Sequence, residues 1–568
     1  MSVNQDTQSP SALWRYQLVI GAVCLVAGFL IWKVLDIQFS DKEFLQKEGQ
    51  DRHLRVVSLP IHRGMIVDRN SEPLAISTPI ASVWVNPQLI NLRDAKLTEL
   101  ANVVGMSVNR LRKLIGKNKN RGFVYLKRHV GPHVERQILA LNIAGVNLQE
   151  EFQRYYPTGE VSGHVLGFND IDDLGQEGLE LAYNDFLTGK PGKQRVIKDR
   201  KGRIIDVLEL IEPSQAGGNL QLSLDRRLQY IAYRELKAAI KNHRAEAGSL
   251  VILDIRTGEV LAAVNQPSFN PNNRTELVSN HYRNRLVTDV FEPGSTIKPF
   301  TVAAALISNK YDVQTKIDTT PGYFRIGRET IKDSHNYGLI DLATILQKSS
   351  NVGASKVALD IPKQLFWSVF NDVGFGTKTQ TEFPGEVAGR LPFFENWYKV
   401  DRAILSYGYG LSVTALQLAQ SYAVLGAGGE KRPLSFVHVS EPPAGEQVIP
   451  RQIAQQVVAM LERAVLAEGT GVRAQVAGYR VAGKTGTVRK SGKGGYLKNQ
   501  HLSLFAGLVP ASDPRFAMVV VVDNPRSGEY YGGVVAAPVF SKVMAAALRL
   551  LNVPPDAIVE SRLKVAGS

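Results

Sequence analysis

The 568-residue sequence predicts an α+β protein: a single N-terminal transmembrane helix, a mixed α/β region, then an antiparallel sheet with helices packed on it and a helical insertion. Three observations lead there. One apolar run near the N-terminus is long enough to cross a bilayer. Short β-like runs gather at both ends of the C-terminal half, with alanine-rich helical stretches between them. The chain is also longer than one hydrophobic core organises, so two or three domains are expected.

Residues 18–32 are uninterrupted apolar residues or glycine, and Val34 and Leu35 extend the run beyond Lys33. With Arg15 and Lys33 able to snorkel, 14–35 reaches the ~20 residues that span hydrocarbon. Trp14, Tyr16 and Trp32 stand where interfacial aromatics belong. A cleaved signal peptide is the rival reading, but the run is long for one and no small-x-small site follows in Asp36-Ile-Gln-Phe-Ser40. The expected division is a tail at 1–15, an uncleaved anchor at 16–37, a first region at 38–215, a second at 216–555 and a tail at 556–568.

In the first region, Val56-Val-Ser-Leu-Pro60 and Ala81-Ser-Val-Trp-Val85 read as strands, and 97–115 reads as one amphipathic helix. Two glycine-containing clusters, Arg63-Gly-Met-Ile-Val-Asp-Arg-Asn70 and Arg154-Tyr-Tyr-Pro-Thr-Gly159 with Gly175-Gln-Glu-Gly-Leu-Glu180, read as turn chemistry with buried ion-pair candidates. No catalytic constellation is found here. Glu212-Pro-Ser-Gln-Ala-Gly-Gly218 reads as a linker.

The second region opens with a strand at 220–225 and a helix at 228–241. The runs 247–254 and 259–264, joined by a turn containing Thr257-Gly258, form a hairpin pattern. Alanine-rich helical stretches follow to 466. Strands at 479–482, 503–509 and 516–522 and a helix at 536–551 close the region.

Composition excludes several classes of function. The net charge of +14 suits an anionic partner, but the basic residues are scattered and no aromatic-interleaved basic block exists, so nucleic-acid binding is not expected. The one cysteine, Cys24, lies in the apolar run, which removes disulfides, a cysteine metal site and a cysteine nucleophile from the body. His129 and His133 have the spacing of a helical metal pair, yet Gly131-Pro132 between them breaks that helix, so both read as loop residues. Nothing asks for a metal or cofactor.

The stretch Phe291-Glu-Pro-Gly-Ser-Thr-Ile-Lys298 does ask for chemistry. If a helix starts there, Ser295 and Lys298 share one face, one turn apart. A hydroxyl needs an adjacent base, and a lysine serves as one only when its surroundings lower its pKa. Ser-x-x-Lys alone is weak, and Ser561-Arg-Leu-Lys564 repeats it in the tail. Ser349-Ser-Asn351, at the end of a helical stretch from 342, and Lys484-Thr-Gly-Thr487, directly after the strand 479–482, add weight, although each has a near-decoy in Ser268-Phe-Asn270 and Lys490-Ser-Gly492. The three motifs in this order, on these elements, match the active-serine machinery of penicillin-binding proteins and class A β-lactamases.

From 15 to 550 the chain resembles a class B penicillin-binding protein of the FtsI type. The resemblance includes both glycine clusters of the first region, Ser406-Tyr-Gly-Tyr-Gly410, Gly469-Thr-Gly471 and Tyr531-Gly-Gly533; Ala415, where many relatives have proline, departs from it. It implies a pedestal or dimerisation-type domain at 38–215 and a serine β-lactamase-like transpeptidase domain at 216–555, with helices on both sides of the sheet and a helical subdomain. It implies a peptidoglycan D,D-transpeptidase in septal wall synthesis, acting on D-Ala-D-Ala stem peptides and acylated by β-lactams. Ser295 is then the nucleophile and Lys298 its base. Ser349 relays a proton to the leaving amine, Asn351 steadies it, and Lys484 supplies positive charge. Thr485, Gly486 and Thr487 line the substrate carboxylate, and the N–H groups of Ser295 and Thr487 form the oxyanion hole. A β-lactamase, a D,D-carboxypeptidase, an elongation or accessory paralogue and a non-catalytic division scaffold are the alternatives. Residues 39–215 lack the length and acidic pattern of a glycosyltransferase, so a separate SEDS-type polymerase and other divisome membrane proteins are the implied partners. The implied place is the bacterial inner membrane, with the short N-terminus cytoplasmic and the body periplasmic.

Overall fold

A computed structural model describes residues 13–39, 54–59, 61–198, 204–273, 280–492 and 495–557. Most of both predicted tails and the Ser561–Lys564 decoy lie outside the described residues. The apolar run forms helix α1 (Leu13–Phe39), along which Trp14–Gln38 shows no burial within the protein. Its large apolar side chains are exposed, as a lipid-facing helix requires.

The described residues divide into two compact units. One gathers those up to 61, α1 included, with those of 80–151 and 190–215; the other gathers those of 62–79, 152–189 and from 216 onward. In the first, β1 (Leu54–Leu59) pairs antiparallel with a strand at Gly192–Lys198, which pairs with another at Ile204–Glu212. The predicted single helix at 97–115 is two helices, Lys96–Val104 and Val108–Lys117. Gly105 takes φ +75°, a left-handed stop, and Ser107 caps the second helix by accepting from Arg110 N. His129 lies in the strand Val124–Val130 and His133 in the first turn of the helix Pro132–Leu141, so neither is a loop residue and they share no helix.

The second unit contains both glycine clusters. Arg63 Nε and Arg154 Nε each donate to one carboxylate oxygen of Glu180 at 2.6 Å, and all three side chains are buried. The stretch read as a linker is anchored: Gln215 bridges Lys190 in the first unit, and a Cβ on Gly217 would strike Leu187 within the second.

The large sheet of this unit comprises β2 (Ala247–Asp254), β3 (Val260–Gln266), β4 (Ala482–Gly492), β5 (Gly495–Val509) and β6 (Phe516–Asp523), in the antiparallel order β3-β2-β6-β5-β4. Its inner strands read as continuous apolar runs because both faces are covered. Val251, Leu253, Ala517 and Val519 face one core, and Leu250, Ile252, Met518 and Val520 face the other. Helices α2 (Arg226–Asn242) and α3 (Ala537–Leu550) cover the second face. The apolar α3 is half buried in that core. Strands β4 and β5 differ from the sequence reading: the first starts at Ala482 and runs through the Lys-Thr-Gly motif, and the second begins at Gly495. They form one long hairpin, whose polar outer half has no apolar signature.

Candidate active site

Ser295 sits in a single 3-10 turn, Gly294–Ile297, that runs directly into helix α4 (Lys298–Ile307). Pro299 occupies the first turn of α4, where its missing N–H costs no hydrogen bond. Gly294 has φ +54°, donates its N–H to Gly408 O at 3.0 Å, and Tyr422 OH donates to Thr296 O at 2.9 Å. A Cβ on Gly408 would collide with Gly294 O, so this close approach needs glycine. These contacts fix the turn while Ser295 stays half-buried.

Ser349 lies between helices α5 (Leu342–Lys348) and α6 (Asn351–Asp360). Its φ of +61° makes it a left-handed C-cap, and Ser350 caps the next helix by accepting from Gly353 N. Asp333 pins the junction, accepting from Asn351 N at 2.5 Å, Ser350 Oγ at 2.5 Å and Val352 N at 3.0 Å. The polar atoms of Ser349 and Asn351 are thereby turned to Lys298, whose Nζ lies 2.5 Å from Ser349 O, 2.8 Å from Asn351 Oδ1 and 3.1 Å from Ser349 Oγ. Ser349 Oγ and Ser295 Oγ share a hydrogen bond of 2.9 Å.

Strand β4 supplies the other wall. Lys484 pairs with Ala506 and Thr487 with Ser503, which places the motif inside the ladder instead of after a strand. Gly486 lets the strand approach the serine turn, since a Cβ there would lie 3.0 Å from Thr296 Cγ2. Lys484 Nζ donates to Thr470 Oγ1 and Thr485 O, each at 3.3 Å, and Thr485 Oγ1 bonds Thr470 Oγ1 at 2.7 Å. Thr487 Oγ1 accepts from Gly532 N at 3.0 Å.

Both lysines are completely buried. Burial pushes the Lys298 ammonium well below the usual lysine range, the nearby positive charge of Lys484 lowers it further, and Asp333 opposes the shift. Burial alone brings Lys484 to about 7. The site therefore holds a lysine whose ammonium is strongly disfavoured, one hydroxyl removed from Ser295, beside a second lysine brought to about 7.

Ser295, Ser349, Asn351, Thr485 and Thr487 line a cleft of about 510 Å³, with Lys298, Lys484 and Gly486 immediately behind its surface. All eight residues singled out by sequence thus meet at one place. Two contributors carried no role in the sequence reading. Thr470 stood inside a quoted motif, but its bonds to Lys484 and Thr485 depend on a fold that returns residue 470 to strand β4. Asp333 follows the short strand Glu329–Lys332 and belongs to no pattern that marks it.

Comparison with known proteins identifies the family. The profile described as Penicillin binding protein transpeptidase domain matches residues 248–545, and the Penicillin-binding Protein dimerisation domain matches 58–222. The chain is 43% identical over 561 residues to the peptidoglycan D,D-transpeptidase FtsI of Escherichia coli K12, covering 98% of this chain and 95% of that protein. It resembles the transpeptidase domain of Burkholderia pseudomallei penicillin-binding protein 3 at 40% identity and a TM-score of 0.55, over 59% of this chain and 98% of that one. A peptidoglycan synthetase from Bifidobacterium adolescentis aligns over 89% of this chain and 98% of its own, at 25% identity and a TM-score of 0.70. With the serine, the buried lysines and the strand motif converging as they do, this chain belongs to the class B penicillin-binding proteins, in the group of FtsI-type peptidoglycan D,D-transpeptidases.

Proposed function

We propose that the protein cross-links peptidoglycan through an acyl-enzyme at Ser295, with Lys298 as the base and Ser349 as the proton carrier between them. One observation carries this assignment: Ser349 Oγ lies 2.9 Å from Ser295 Oγ and 3.1 Å from the buried Lys298 Nζ. A neutral amine has two N–H donors, and Ser349 O and Asn351 Oδ1 are placed to accept both. The Nζ lone pair then faces Ser349 Oγ, so a proton leaving Ser295 has a continuous path to Lys298.

In the first step Ser295 Oγ bonds to the penultimate D-Ala carbonyl carbon of a stem peptide, and its proton passes through Ser349 to Lys298. The N–H groups of Ser295 and Thr487 hold the oxyanion, an effect worth roughly 3–4 kcal/mol per donor. Collapse breaks the peptide C–N bond, and the departing D-Ala nitrogen takes the proton back from Lys298 through Ser349. An amine of a neighbouring stem then bonds to the ester carbon; its proton passes by way of Lys298 and Ser349 to Ser295 Oγ as the ester C–O bond breaks, which frees Ser295 and forms the cross-link. Lys484, Thr470, Thr485 and Thr487 seat the terminal carboxylate, with Gly486 keeping that wall close to the serine. β-Lactams present the same carboxylate and a strained amide to Ser295, so they acylate it.

The helix α1 anchors the chain in the inner membrane, with the short N-terminus cytoplasmic and the body periplasmic, where stem peptides are found. The region 38–215 serves as the pedestal and 216–555 as the transpeptidase domain. A SEDS-type glycan polymerase and other divisome membrane proteins are the proposed partners, and the septum is the proposed workplace. Replacing Ser295→Ala should abolish labelling by a fluorescent penicillin without changing the thermal unfolding midpoint. Labelling that persists would remove Ser295 from the mechanism.

A further inference from the structure

The wall of the cleft carries two further cations, Lys348 and Arg473. They differ in their company. Lys348 Nζ is 3.0 Å from Glu468 Oε2, so its charge is answered within the protein. Arg473 is exposed, and among the described residues no hydrogen bond or ion pair holds its guanidinium.

Its backbone, in contrast, is fixed. Arg473 occupies the short turn Val472–Ala474, three residues beyond Thr470. Gly471 N donates to Ala464 O at 2.8 Å, Ala474 N to Gly471 O at 2.8 Å, and Ala474 is fully buried. A long cationic side chain is thus mounted on a rigid turn at the rim of the cleft. Buried Lys484 with Thr470 and Thr485 already makes one compact carboxylate seat deeper in. An exposed guanidinium at the rim is placed for groups of the substrate that extend out of the cleft, and a planar fork of N–H donors suits a carboxylate. Stem peptides carry such groups, because their acidic residues present carboxylates besides the terminal one.

We propose that Arg473 binds a non-terminal carboxylate of the stem peptide and so selects free-acid stems over amidated ones. This rests on the acyl-enzyme reading above, but its test separates the two. D-Ala release by the full-length protein would be measured on synthetic pentapeptides ending in D-Ala-D-Ala, with their inner carboxylates free or amidated. Wild type should favour the free acid in kcat/KM by about 10-fold, the size of one hydrogen bond to a charged group. Arg473→Gln should lose that preference by slowing only on the free acid, and Arg473→Lys should keep part of it. Fluorescent-penicillin labelling of Ser295 should be unchanged in both variants, since a penicillin brings no inner stem carboxylate. Equal loss on both peptides, no loss on either, or a parallel fall in penicillin labelling would overturn the proposal. Absence of D-Ala release and of labelling in the wild type would instead contradict the acyl-enzyme reading.

Discussion

At the scale of single residues, the proposed chemistry depends on an environment that disfavours the charged form of one buried lysine. Burial is the main cause for Lys298, and the neighbouring charge of Lys484 is the second. The signs lead to a test. Removing Lys484 takes away a repulsion that disfavours the Lys298 ammonium, so protonation of Lys298 becomes easier and the base is neutral only at higher pH. Acylation by saturating penicillin should therefore rise with pH in the wild type and show a midpoint shifted upward in Lys484→Ala. An unchanged midpoint would remove Lys484 from the tuning of Lys298. Asp333 shows where sequence reading stops at this scale. It organises Ser350, Asn351 and Val352 from a separate hairpin, and such a contact between distant segments leaves no spacing to read. The convergence of Ser295, Lys298, Ser349 and Asn351 is legible because the proposed nucleophile, base and relay fall in two short motifs whose local geometry is set by a turn and a helix cap.

At the scale of elements, the site is the meeting of a helix start, a helix junction and a strand. The hairpin of β2 and β3 and the terminal helix α3 fall close to the predicted positions, because their apolar runs are bounded by turns. The single helix expected at 97–115 fails at Gly105, where a left-handed residue outweighs the continuing apolar pattern. Strand β4 was displaced for another reason. Its motif residues Lys484, Thr485 and Thr487 are polar, so hydrophobic alternation ends before the strand does. Glycines join these elements to the serine turn, and Gly408 is the most demanding. With φ +91° and no room for a Cβ against Gly294 O, Gly408→Ala has to displace the serine turn. It should slow penicillin acylation at least about 10-fold and destabilise the domain by about 1–3 kcal/mol, as strain at special backbone positions does. Second-order acylation rates and thermal unfolding check both; wild-type values would mean that the turn does not depend on this contact.

At the scale of the whole molecule, a lipid-length helix falls within the first of two compact units, and the second unit carries all eight proposed site residues. The division is not linear in sequence, since 62–79 and 152–189 pack within the unit that holds Ser295. Their buried centre is Glu180 between Arg63 and Arg154, two cations on one anion, held by many hydrogen bonds and not by charge balance. No linear boundary could have shown this, because the three residues are assembled from separate stretches. Depletion of the protein in its native cell tests the proposed workplace: filamentous cells are expected, whereas rounded cells would assign it to wall elongation. The central claim is chemical, and a covalent mass tests it most directly. Full-length protein would be quenched by denaturation during turnover of a D-Ala-D-Ala stem peptide, and again after exposure to penicillin, then digested and mapped by mass spectrometry. The acyl mass is predicted on the peptide carrying Ser295 in both cases. An adduct on Ser349 or any other residue, or no covalent adduct at all, would contradict the account.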